Sequence, residues 1–185
     1  MSGVFPLSLY LLELLDNARR GVVWDSLWIC HLANLLMGIG ALGGRPMLVR
    51  MGVLWMMAGT PLWVRELWVD PSIGPVSYLS HIGGLAFALL WLRRAAPEDL
   101  ARPAWFQAWL FFVAVRALCR LITPDELNVN ASRLMRDGFE TVFTSYWPYW
   151  ALSSLAAAAV LLALDTGTVA VRLYALRWLS RRKES

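Results

Sequence analysis

Residues 22–44 read VVWDSLWICHLANLLMGIGALGG. The run holds one charged residue, Asp25, close to its start. About 20 apolar residues at ~1.5 Å of rise each cross the hydrocarbon of a bilayer, so this stretch predicts a transmembrane helix. Four further runs of the same kind follow it, at 46–64, 72–92, 103–123 and 143–165. The fold class expected is all-α: a polytopic membrane helix bundle of about five transmembrane helices.

The rest of the chain fits that frame. Of the 185 residues 58% are hydrophobic, 11 are Trp, and mean hydropathy is +0.52, beyond the apolar share of an ordinary soluble domain. The net charge of +4 rests on arginine, because Lys183 is the only lysine. In a membrane protein such charge sets topology and meets lipid headgroups, so no nucleic acid partner is expected. Residues 4–16 are too short to span and read as an amphipathic interfacial helix; with Glu13 inside and no basic stretch ahead, they do not read as a cleavable signal. The organisation expected is an N-terminal interfacial segment at 1–21, a transmembrane domain at 22–170 and a basic tail at 171–185. Five spans put the termini on opposite sides. The balance of the basic residues predicts a cytoplasmic C-terminus in a bacterial inner membrane.

Polar side chains are costly in hydrocarbon, and they face a bundle interior or a cavity. Cys30 and His81 fall in the first and third spans, which run in the same direction, each about 12–14 Å below the same surface. An imidazole that takes the proton of a thiol makes it a nucleophile, so the pair is a candidate catalytic dyad. Asn34 lies one helical turn from Cys30, and Tyr78 and Ser80 stand near His81; any of them could orient the imidazole or stabilise an oxyanion. The bland alternative is a small core thiol and a helix-bridging histidine. Arg116 lies deep in the fourth span and needs a partner, for which Asp25 and a lipid phosphate are the candidates. His31 and His81 are the only histidines. As axial ligands they could hold a b-type haem, but no CxxC or c-type attachment pattern exists, and no metal or cofactor is expected. Asn130-Ala-Ser fits a glycosylation sequon, and SYWPYW at 145–150 fits an interfacial aromatic belt.

Five short elements occur in order: SLWIC at 26–30, GTP at 59–61, LSH at 79–81, NVN at 128–130 and WPYW at 147–150. In this order the chain resembles the YwaF/TMEM164 family of multi-pass membrane proteins, over residues 24 to about 165. The resemblance implies transfer of a fatty acyl chain between phospholipids through an acyl-cysteine, with Cys30 as nucleophile and His81 as its partner. Three departures accompany it. Ser26 stands where the family has proline, no tyrosine follows Asn128 or Asn130, and the N-terminal stretch is short. The stretch 80–94 is also similar to the His-bearing last helix of rhomboid proteases, whose GxSG serine motif is absent. Two function classes follow. One is a lipid acyltransferase or hydrolase acting on membrane lipids. The other is a non-catalytic accessory subunit of a larger membrane complex, which could contact a pigment or haem.

Overall fold

The computed structural model describes residues 2–69, 73–124, 126–135 and 138–184, with side chains described to residue 175. The side chains of the basic tail from residue 176 onward lie outside the described residues. Six helices carry the described chain: α1 (Val4–Arg19), α2 (Ile29–Leu42), α3 (Pro46–Val69), α4 (Pro75–Arg94), α5 (Trp105–Ile122) and α6 (Tyr146–Glu184). Helices α3, α4 and α5, together with α6 over Tyr146–Ala175, are each long and apolar enough to cross a membrane. Helix α2 is the shorter apolar one, with 14 residues and about 21 Å of length. The chain is an all-α membrane helix bundle.

The first apolar run therefore forms two pieces. Val23–Leu27 makes a 3-10 turn, Trp28 is extended (φ −57°, ψ 136°), and α2 begins only at Ile29. Backbone that is not helical at membrane depth must find partners within the protein. Here one residue supplies them. Asn130 Oδ1 accepts the Ile29 N–H at 3.0 Å, and Asn130 Nδ2 donates to the Leu27 carbonyl at 2.8 Å. Asn130 sits in a left-handed conformation (φ 55°), which asparagine tolerates better than most residues. Its side chain is buried and spoken for, so the sequon at 130–132 does not act as an acceptor in the folded chain.

Helix packing follows from small residues. A Cβ on Gly52 of α3 would stand 2.6 Å from the Ala33 carbonyl and from Met37 of α2, so only glycine lets these two helices approach this closely. The tightly paired α2 and α3 enclose a core of Met37, Val49, Val53, Leu54 and Met56, joined by Phe87 of α4 and Leu161 of α6. Trp55 Nε1 ties α3 to α5 by donating to the Ala108 carbonyl at 2.9 Å.

The 4–16 segment is helical, as its sequence implies, and continues to Arg19. It packs lengthwise on α2 and α4 in an antiparallel sense: Gly3 lies against Gly38 and Leu42, Leu7 against Gly38, and Glu13 against His31. This contact changes the expected topology. Gly3 lies beside the C-terminal end of α2, while Arg172 of α6 donates to the Ala95 carbonyl just past the C-terminal end of α4. Helices α2 and α4 run parallel, so both ends of the described chain lie toward the same side of the bundle. The expectation of opposite sides counted five helices and left out α1.

At that same side Arg50 of α3 pairs with Asp165 of α6, both buried. The other carboxylate oxygen of Asp165 accepts the N–H groups of Ala104 (2.7 Å) and Trp105 (3.2 Å), capping the start of α5. Arg50 also donates to the Arg102 carbonyl. One polar node thus joins three helices.

Candidate functional site

A cavity of about 810 Å³ opens between the helices. Its wall carries Cys30 and His31 from α2, His81 from α4, Glu13 from α1, Trp63 from α3 and Arg116 from α5. The two residues that the sequence singled out by depth therefore face one space. No hydrogen bond joins Cys30 to His81 among the described residues. The His31 ring meets His81 edge-on, at 5.4 Å between centroids. Rings this close leave no room for a porphyrin plane between them, so the axial-ligand arrangement has no place here. Among the described residues no group of three or more His, Cys, Asp or Glu side chains is arranged to hold a metal ion.

Cys30 is the second residue of α2, and a Cβ on Gly59 of α3 would stand 3.2 Å from Cys30 Cβ. Its position depends on where α2 starts, and hence on Asn130. Cys119, the other free thiol, packs under the same turn, 3.7 Å from Asn130 Nδ2.

His81 is held on three sides. Its Nδ1 lies 2.9 Å from the Ser77 carbonyl. A carbonyl can only accept, so Nδ1 carries the proton and Nε2 is the bare, basic nitrogen. Among the described residues, Nε2 is buried and has no hydrogen-bond partner. Trp63 stacks on the imidazole at 4.5 Å and 5° and donates to Ser77 Oγ at 3.2 Å. Tyr78 stands edge-on to Trp63 at 5.3 Å, so it touches the site only through that indole.

Asn34 and Ser80 turn out to serve each other. Asn34 Nδ2 donates to the Ser80 carbonyl at 3.2 Å and to Ser80 Oγ at 3.1 Å, clamping α2 to α4 one turn below the thiol. Neither residue makes a hydrogen bond to Cys30 or His81.

Arg116 is buried, and among the described residues it makes no ion pair with Asp25, one of its two candidate partners. Its guanidinium donates to the Ala131 carbonyl (2.8 and 3.1 Å), the Trp150 carbonyl (3.1 Å), Ser153 Oγ (2.8 Å) and Ser154 Oγ (3.0 Å). Phe112, Tyr149 and Trp150 surround it at 5.3–5.9 Å. Neutral acceptors and aromatic faces hold the charge for which the sequence offered Asp25 or a lipid phosphate. The carbonyls come from the 129–131 turn and the first turns of α6, so Arg116 fastens the long loop and α6 to α5. Arg120, one turn on, lies over Tyr146 and Trp147. The SYWPYW run thus packs partly on cations.

Glu13 is the site residue that sequence reasoning missed. It stood in a segment assigned to the interface, yet it is 2% exposed, and its Oε1 lies 3.5 Å from His31 Nε2. The available signal was a carboxylate set between leucines on α1, Leu12 and Leu14, with Asn17 one turn further on. Asn17 too is buried, donating to Ser26 Oγ at 3.1 Å.

No protein-family model, curated protein or solved structure matches the chain. Cys30, half-buried, and His81, whose Nδ1 meets the Ser77 carbonyl, line one cavity together with Asn130 and Ala131 of the 129–131 turn.

Proposed function

We propose that the chain is a membrane enzyme that moves acyl groups between lipids through a thioester on Cys30, with His81 as the base. The observation that carries this reading is the bare, buried Nε2 of His81 on the cavity that Cys30 also lines. A basic nitrogen buried without a partner is costly in a purely structural role. It is what a thiol needs in order to react. In the first step the Cys30 proton passes to His81 Nε2, and sulfur attacks the ester carbonyl of a lipid. The C–O bond breaks as C–S forms, and His81 returns the proton to the leaving oxygen. A second acceptor then takes the acyl group, and the thiol is restored. The resemblance to the YwaF/TMEM164 family, on SLWIC, LSH, NVN and WPYW, points to the same chemistry. Asn130, in the NVN element, contributes by fixing the turn from which Cys30 projects. Membrane lipids reach the bundle along its exposed apolar flanks, where Ile82, Leu121 and Leu155 face outward. The residence is a bacterial inner membrane, with the basic end of α6 in the cytoplasm.

The test is acyl labelling of the intact protein in lipid with an alkyne-tagged acyl thioester. Wild type should carry an adduct that hydroxylamine removes, and Cys30→Ala and His81→Asn should carry none. A chain that acquires no adduct in any lipid would end the catalytic reading and leave the role of an accessory subunit, whose partners would then be sought.

A further inference from the structure

The cavity does not end at Cys30 and His81. It runs on between α3, α5 and α6, where Trp55 and Ala58, Phe112, and Ala157, Val160 and Leu164 form its wall. Those side chains are all apolar. The charged residues of the wall, Arg20, Asp25 and Glu66 among them, stand at the other end, around the start of α2. The apolar arm is also open at its side. Leu62 of α3 (53% exposed) and Val160 of α6 (48% exposed) both line the cavity and face outward. Helices α3 and α6 are each long and apolar enough to cross a membrane, so the gap between them faces hydrocarbon. Water gains little in such an arm, because its walls offer no hydrogen bonds.

We infer that the gap between α3 and α6 is a side entrance for one lipid of the bilayer, whose acyl chain lies along α6 with its polar end toward Cys30 and its methyl end toward Leu164. The α6 residues on the wall are Ser153, Ala156, Ala157, Val160 and Leu164, the spacing of one helix face. From Ser153 to Leu164 that face is ~16 Å long. Half of the ~30 Å of bilayer hydrocarbon is about 15 Å, the depth that one acyl chain spans. The arm therefore has the length of a single chain of one leaflet. Small residues, Ala58 and Gly59 on α3 and Ala156 and Ala157 on α6, leave width for it. Gly59 is also the residue against which Cys30 packs, so a chain in the arm passes the thiol. A cavity that is charged at one end, apolar at the other and open sideways to hydrocarbon matches a lipid and no water-soluble substrate. The inference rests on the proposed function for what happens at the polar end of the chain, while occupation of the arm does not.

The test uses the intact protein in nanodiscs of dioleoylphosphatidylcholine, doped with a phosphatidylcholine that carries a diazirine at the methyl end of one acyl chain. After illumination the cross-linked residues are mapped by mass spectrometry. Bulk lipid marks outward residues such as Leu155 and Leu162 in any case. Trp55 is 5% exposed, so a chain reaches it through the arm. The expected result is label on Trp55 and Leu164. A diazirine placed next to the ester should move the label away from Leu164 and toward Cys30. Ala156→Trp and Val160→Trp each fill the entrance from an exposed position, where the added bulk meets no core, so either variant alone suffices. Each should lower the label on Trp55 about tenfold or more. Ala159→Trp, exposed on α6 but off the cavity wall, should leave it unchanged. Label on outward residues alone, or label on Trp55 that neither Ala156→Trp nor Val160→Trp lowers, would overturn the inference. Label in the arm without an acyl adduct on Cys30 would retire the enzyme and keep the lipid site. An acyl adduct with no label in the arm would do the reverse.

Discussion

Asn130→Ala should loosen the fold at the point that places Cys30. The side chain makes two buried hydrogen bonds to backbone more than 100 residues away in sequence, one to the Ile29 N–H and one to the Leu27 carbonyl. Removing it strands both groups at the break between the 3-10 turn and α2. Each stranded group costs about 1–3 kcal/mol, although polar contacts within membrane bundles have averaged nearer 0.6. Alanine at φ 55° adds about 1 kcal/mol that asparagine largely escapes. The loss worked from these terms is about 2–7 kcal/mol. It can be read from tryptophan fluorescence or helix content as the protein in mild detergent is titrated with a denaturing one. Three variants separate the terms. Asn130→Gly relieves the backbone and loses both hydrogen bonds, so it should fall about 1 kcal/mol less than alanine. Asn130→Asp keeps the acceptor for Ile29 and loses the donor to Leu27, so it should lie between glycine and wild type. If Asn130→Ala unfolds within about 0.5 kcal/mol of wild type, the turn does not depend on this residue, and the account of how Cys30 is positioned fails with it.

Two further expectations concern packing. Arg50→Met leaves Asp165 buried without its counter-charge and should cost about 3–5 kcal/mol in the same unfolding assay; adding Asp165→Asn should recover part of this, because the amide oxygen still caps α5. At Gly84 a Cβ would stand 2.5 Å from Asn34 Oδ1 and 2.4 Å from Met56 Cε, so Gly84→Ala should cost about 1–3 kcal/mol. In an Asn34→Ala background the penalty should shrink measurably, because the rigid neighbour is gone.

The helices α3 to α6 were legible because length and apolarity alone define a span, and a run of about 20 apolar residues has few other readings. The last span runs on as one helix to Glu184, through Gly167, past the point at 171 where the sequence organisation placed a basic tail. The break inside the first run was not legible. Residues 22–44 carry no glycine or proline before Gly38, and nothing local stops a helix at Trp28. What stops it is Asn130, and periodicity cannot report a partner so far along the chain. The same reasoning covers Glu13. Its stretch is too short to span alone, and a carboxylate on such a stretch reads as an interfacial residue until a second helix is laid along it.

Arg116 shows the general form of the difficulty. A deep arginine signals a need for acceptors, and the sequence states that need without naming what meets it. Asp25 was the nearest formal charge in the expected layout, so the pairing followed from counting charges. The fold meets the need with carbonyls of a turn and hydroxyls of α6, groups that carry no charge to count. Cys30 and His81 were found more readily because their signal was chemical and because equal depth on parallel helices is a geometric constraint that sequence can express. The hydrogen bond that turns His81 was hidden, because it runs to a backbone carbonyl that every residue possesses. Side-chain identity therefore locates the thiol and the imidazole, while backbone acceptors, invisible in composition, decide which nitrogen of His81 is engaged.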